Sequence, residues 1–343
     1  MLQMIRRVAP VIVIIIAGFA FWFINRATDD PHSPRNEFLL KEQQARDHPD
    51  DFDAQLEWAE ALVKAKQFDD AGPVLQQAGR LKPADARPFA MLGKLAVRAG
   101  QEDQARGLFH RALERDPSNI DALRGLANLD AKAHHLRAAI DGFQKIVDLQ
   151  PNDADAWQGL GLLLITAREN YRCLNALERA AAIAPNDAIT ERALGTVALN
   201  AGKLDQAYTA FQIVLKQNPK DARALTGLAD VMMRRDPSPN GLAAAERQAD
   251  AAIAADPTAA AYYLRGFIRL TERHLPEALQ DLNTSRKLDP RHQQTYVVLS
   301  ECYALAGKPD MAREVSARLE RLRASMLARD RAALDTTGSG QSK

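Results

Sequence analysis

Cysteine, aromatics and catalytic motifs are all scarce here. There are two cysteines, Cys173 and Cys302, 129 positions apart, so no disulfide framework or C-x-x-C pair is available. Both fall at helix positions that face packing, where cysteine serves as a small apolar side chain. Aromatics make up 6% against 46% hydrophobic residues, and alanine and leucine dominate from residue 52 onward, which favours closely packed helices over sheet. Neither sign of charge prevails, with 45 basic and 44 acidic residues, which excludes the strongly positive footprint of a nucleic-acid binder. There is no G-x-x-x-x-G-K-[ST] loop, G-x-S-x-G elbow or H-E-x-x-H. The adjacent pair His134-His135 falls in a turn, and neighbouring helix residues do not share a face. No catalytic residue, metal ligand or cofactor is expected, and the chain does not read as an enzyme.

One long apolar run is present. Residues 8–24, VAPVIVIIIAGFAFWFI, carry no charge and as a helix would cover roughly 25 Å, close to a bilayer's hydrocarbon core. Arg6 and Arg7 precede it and Arg26 follows. The basic bias predicts a cytoplasmic segment 1–7, a signal-anchor at 8–24 held in the lipid bilayer, and an extracytoplasmic remainder, placing the chain in the inner membrane by a single pass. Removal of this segment as a signal peptide is the alternative, although Asn25-Arg26-Ala27 makes a poor cleavage site. Residues 25–51 read as a linker, with a short helix from Asn36 to Asp47 presenting Phe38, Leu39 and the stem of Gln43.

The strongest feature is internal repetition. Pro49, Pro83, Pro117, Pro151, Pro185 and Pro219 follow one another at steps of 34, and Pro257 and Pro290 continue at 38 and 33. Proline and the residue before it stop a helix, and the Asp or Asn that follows in most copies caps the next one. Repeats then begin at 52, 86, 120, 154, 188, 222, 259 and 293. The eighth column holds small residues such as Gly93, Gly161, Gly195 and Gly266. The twentieth holds Ala71, Ala105, Ala139, Cys173 and Ala207. Bulky residues such as Phe109, Leu177 and Phe211 occupy the twenty-fourth, and leucine fills most of the seventh, which fails at Arg265. Small side chains let two helices approach while a bulky neighbour fills the gap. Gly100, Gly202 and Gly307 mark turns between the paired helices. The first repeat departs at Gln55, and the sixth carries extra residues, Arg235 to Gly241, expected in its inter-helix turn. The last helix runs from Pro309 to about Ala333, with Glu314–Arg318 and Glu320–Arg323 charge pairs. Residues 327–343 hold its end and a tail expected to be disordered.

Over residues 52–326 this pattern resembles the tetratricopeptide repeat family. The resemblance implies an all-α fold, a right-handed solenoid of about eight helix pairs whose first helices line a groove for protein or extended peptide partners. The family's groove columns fall on Arg87, Lys94 and Arg98, on Arg124, Asn128 and Lys132, on Arg192, and on Tyr263 and Phe267. They imply a groove that is basic near its start and aromatic near its end, suited to acidic or carboxylate-bearing segments. Arg124 and Asn128 match half of the carboxylate clamp of some family members. Gly159, Ile189 and Ala193 stand where its asparagine, lysine and arginine belong, so that clamp is not expected. Residues 48–62, HPDDFDAQLEWAEAL, resemble the start of the repeat region in cytochrome c maturation scaffolds, which hold unfolded apoprotein. The implied role is a scaffold assisting assembly of cell-envelope complexes. A homo-oligomeric platform is the alternative.

Overall fold

The computed structural model describes residues 33–338 and divides into two compact units at Pro151 and Asn152. All 17 elements among the described residues are α-helices. The first unit holds α1 (Pro34–Asp47), α2 (Phe52–Lys64), α3 (Phe68–Leu81), α4 (Arg87–Arg98), α5 (Glu102–Arg115), α6 (Ile120–Lys132) and α7 (Leu136–Leu149). The second holds α8 (Ala154–Thr166), α9 (Asn170–Ile183), α10 (Ala188–Asn200), α11 (Leu204–Gln217), α12 (Ala222–Arg235), α13 (Pro239–Ala255), α14 (Ala259–Thr271), α15 (Leu275–Leu288), α16 (Gln293–Leu305) and α17 (Pro309–Gly338). Apart from α1, the helices pack as consecutive pairs. Within each unit a first helix also touches the first helix of the next pair, as α4 does α6 and α10 does α12.

Short-range chemistry sets the boundaries. Most first helices are capped by a side chain in the proline phrase: Asp51, Asn119, Asp153, Asp187 and Asp221 each accept from a backbone N–H two or three residues on. Most second helices lack such a cap, because a left-handed residue turns the chain straight into them. Gly100 (φ 75°), Gly202 (φ 74°) and Gly307 (φ 71°) do this, but so do Lys66, His134, Arg168 and Arg273. The strain of a side chain at positive φ is thus accepted at four of these turns.

Packing follows the alternation of small and large. The Phe109 ring of α5 lies between Gly93 of α4 and Gly125 of α6, and a methyl on either glycine would come within 2.5 Å and 2.3 Å of it. Phe211 of α11 sits in the same way between Gly195 of α10 and Gly227 of α12, where the approaches would be 2.8 Å and 2.2 Å. Both rings are fully buried. Each therefore joins two helix pairs, and burying such a ring contributes about 1.5–3 kcal/mol.

Several departures acquire physical reasons. Gln55 is buried and its amide donates to the Ala45 carbonyl at 2.6 Å, tying α1 to α2. Phe38 packs edge-on against Trp58 at 4.7 Å, whereas Leu39 is half exposed and does not share that face. The extra residues of the sixth repeat do not make a long turn. Three residues separate α12 from α13, and the rest extend α13 to 17 residues from its Ser238 cap. Arg265, the failure in the leucine column, donates twice to buried Asp281 of α15, at 2.9 and 2.7 Å, and once to Asp250 of α13 at 2.7 Å. Arg269 adds bonds to Asp281 (2.9 Å) and Glu246 (2.7 Å). This ion network joins α13, α14 and α15 where a leucine would have packed. On α17 the Glu320–Arg323 pair forms at 3.1 Å, while Glu314 and Arg318 form no ion pair among the described residues.

The expected placement as a single-pass inner-membrane protein is corrected. Among the described residues no helix is long and apolar enough to cross a membrane. Residues 8–24, on which that expectation rested, lie outside the described residues, as do 1–7, 25–32 and 339–343. Most of these helices pair a packed face with one that carries several charges, which a hydrocarbon environment would penalise.

Candidate functional site

In the first unit a cavity opens beside the first helices, and its lining gathers four of the expected site residues. It measures about 280 Å³, and Lys94 and Val97 of α4 face Arg124, Gly125, Asn128 and Lys132 of α6 across it. The buried Phe109 ring lies beneath its floor, packed directly against the bare backbone of Gly125. The basic groups do not stand free for an acidic ligand. Lys94 pairs with Asp121 at 2.6 Å and Lys132 with Glu102. Two of the three basic groups in the lining are thereby matched by carboxylates, which leaves it a formal charge of +1.

The other expected basic residues lie elsewhere. Arg87 binds Asp85 at 2.9 Å, reaches Asp53 at 3.8 Å and lies over the Phe52 ring. Its hydrogen bonds hold the Asp85 carboxyl below the usual carboxylate range. Arg98 stacks on Phe68 at 3.9 Å and lines a different cavity, of about 620 Å³, with Leu92, Leu95 and Leu108. In the second unit Arg192 is bound to the helix cap Asp221 at 2.6 Å.

The second unit repeats the first cavity and enlarges it. Its 460 Å³ groove is lined by Thr196, Leu199, Phe211, Arg223, Thr226, Gly227, Asp230 and Arg234. These are the counterparts, each about three repeat steps of 34 residues later, of Lys94, Val97, Phe109, Asp121, Arg124, Gly125, Asn128 and Lys132. Tyr263 and Leu264 of α14 and His292 at the start of α16 extend it. Tyr263 stacks on Phe267, 6.2 Å between centroids, and meets His292 edge-on at 5.1 Å. Phe267 does not line the groove; it is half-buried behind Tyr263. Burial pushes the Tyr263 phenol up and His292 below its ordinary 6.5, so both rings are neutral at pH 7.

The polar chemistry has changed between the two copies. Where Asp121 balances Lys94, the second unit has Arg223 and Thr196. The Thr196 hydroxyl turns back to its own helix at Arg192. Arg223 is exposed and has no ion pair among the described residues. Arg234 is held by Asp230, at 2.6 and 3.1 Å. The expected site residues did not include Arg223, Asp230, Arg234 or His292. The step of three repeats from the first cavity's residues is the signal that finds the first three.

Two family models described as tetratricopeptide repeat match the sequence, over residues 96–163 and 192–236. The chain is a tetratricopeptide repeat protein. Comparison with curated proteins gives no match. Among solved structures, the Cut9–Hcn1 hetero-tetramer of APC/C is similar over 82% of this chain and 55% of that one, at 15% identity and a TM-score of 0.53. That likeness supports the fold alone. YrrB, described as a TPR protein with an unusual peptide-binding site, is 21% identical over 65% of this chain and 96% of its own, with a TM-score of 0.44. Pseudomonas aeruginosa pilF is 20% identical over 63% of this chain and 97% of its own, with a TM-score of 0.49. Tetratricopeptide repeats make this a protein–protein interaction scaffold, of a fold that is generally non-catalytic.

Proposed function

We propose that the groove of the second unit holds an extended segment of a partner protein, with an apolar side chain against Tyr263 and an acidic group at Arg223. The observation that carries this reading is that one 460 Å³ groove is lined by the half-buried Tyr263 ring and by Arg223, which has no ion pair among the described residues. A guanidinium presents a planar fork that suits a carboxylate, and a rigid aromatic anchor loses little entropy on binding. The amide of Asn200, exposed on the same wall, offers both a donor and an acceptor to peptide backbone. In the first unit, Lys94, Arg124, Asn128 and Lys132 line a second cavity whose basic charge Asp121 and Glu102 largely offset. An acidic segment there must compete with Asp121 and Glu102, so this cavity favours segments carrying both signs of charge.

Selection from a displayed library of random extended peptides tests the reading. Enriched sequences are expected to place an acidic residue near an aromatic or large aliphatic one. Arg223→Ala should remove the acidic preference, and Tyr263→Ala the apolar one. Enrichment unaltered by both substitutions would show that the segment binds elsewhere.

A further inference from the structure

The second unit carries another charged cavity, which shares no lining residue with the groove. It measures about 290 Å³ and lies between the end of α15, the turn at Pro290, the first turn of α16, and α17. Three arginines line it: Arg286 from α15, and Arg318 and Arg321 from α17. Pro290, Tyr296, Val315 and Glu314 complete the wall. None of the three arginines has an ion-pair partner among the described residues. Arg321 donates to the Ala317 carbonyl of its own helix at 3.2 Å, which leaves the rest of its guanidinium unused. Most arginines elsewhere in this part of the unit are committed, as Arg265, Arg269, Arg313 and Arg323 are.

Comparison with other repeats explains why these side chains are uncommitted. In three repeats a long polar side chain of the second helix donates to a carbonyl in the turn that precedes the pair. Gln77 donates to Pro49 at 2.7 Å, Arg115 to Pro83 at 2.5 Å and Gln217 to Asn186 at 2.5 Å. Arg111 and Arg115 also lie on the Phe89 ring, at 4.5 and 4.3 Å. In the last repeat Tyr296 occupies the position of Phe89, and its hydroxyl takes the Pro290 carbonyl itself at 3.0 Å. The arginines of α17 are thereby denied the acceptor that Arg115 uses.

We propose that this cavity binds a phosphoryl group. Three guanidiniums and one carboxylate give the lining a formal charge of +2, which a phosphate or phosphomonoester near −2 neutralises and a single carboxylate does not. Arginine forks pair with two oxygens at once, and several around one phosphoryl group satisfy its three free oxygens. Nucleic acid fits poorly, since the chain has 45 basic against 44 acidic residues and this notch supplies three positive charges in place of a long track. Inorganic phosphate and a phosphorylated side chain of a partner protein present the same chemistry.

Titration calorimetry on the full chain, at fixed ionic strength in chloride, tests the site with three probes: inorganic phosphate, a phosphoserine peptide and its unphosphorylated twin. Phosphate is expected to bind saturably, and Arg318→Ala with Arg321→Ala should weaken it at least tenfold with an unchanged helical circular dichroism spectrum. Glu314→Gln should tighten it several-fold, because a competing carboxylate is removed. Tyr296→Phe should weaken it by releasing the Pro290 carbonyl to an arginine. A phosphopeptide at least tenfold tighter than phosphate identifies a protein-borne ligand, and equal affinities identify the free ion; either supports the site. Equal phosphate affinity in the wild type and the double arginine variant, or weaker binding in Glu314→Gln, overturns it.

Discussion

The first-unit cavity and the second-unit groove are one design executed twice with different charges. Their frames coincide: a buried phenylalanine, Phe109 or Phe211, under a bare glycine, Gly125 or Gly227, between two first helices. Their surfaces do not. Lys94 and Asp121 answer each other in the first, while Thr196 and Arg223 leave a positive charge unanswered in the second. The frame is set by steric needs that every repeat shares. The surface is free to vary because exposed side chains add little to stability.

Removing the shared ring should have the largest effect and should not distinguish the units. Phe109→Ala and Phe211→Ala are each expected to cost about 3–5 kcal/mol, because each empties a space lined by two helix pairs. Urea unfolding measures this, and a marked inequality would mean that the two frames are not equivalent. The reverse change, Gly125→Ala or Gly227→Ala, drives a methyl into the ring and should cost about 1–3 kcal/mol in either unit. Caps come next. Asn119 and Asp221 occupy matching positions and accept from Ala122 and Ala224 at 3.0 and 2.9 Å. Asn119→Ala should cost about 0.5–2 kcal/mol. Asp221→Ala should cost more, since Arg192 also loses its partner. Thermal melts of the two variants would order them.

The smallest effects lie on the surfaces. Lys94→Ala breaks a pair whose side chains are about half exposed and should cost less than about 1 kcal/mol, shrinking with added salt. His292 belongs to the second groove and gives it a pH response. Burial holds its folded pKa below 6.5, so the unfolded chain takes up the proton more readily. Its contribution is complete above pH 6.5 and declines as pH falls below that value. Urea midpoints at pH 7.5 and 5.5 should show this decline reduced in His292→Asn; an identical slope would remove the histidine from the account.

The all-helical frame was legible because its signals are local and repeated. The recurring proline and the cap after it act within a few residues of their position, and the eighth-column glycine meets a bulky side chain sixteen residues later in the same repeat. The charge pattern of the site was much less legible. Column position fixes where a Cβ points, but not where a long side chain ends. Arg98 sits in a groove column yet carries its guanidinium to Phe68, and Arg87 turns to the neighbouring Asp85. Lys94 and Lys132 look uncommitted until Asp121 and Glu102, 27 and 30 residues away in sequence, are brought beside them. The leucine missing at Arg265 could be seen as an anomaly, but its compensation by Asp281 required the packing of three helices.

The phenylalanine held between two glycines also governs how each unit comes apart. Because one ring belongs to two adjacent pairs, neither pair can loosen without baring the other's interior, so fraying cannot advance by a single pair past Phe109 or Phe211. Amide exchange should therefore report α4, α5 and α6 opening together, and α10, α11 and α12 together, as two indivisible blocks.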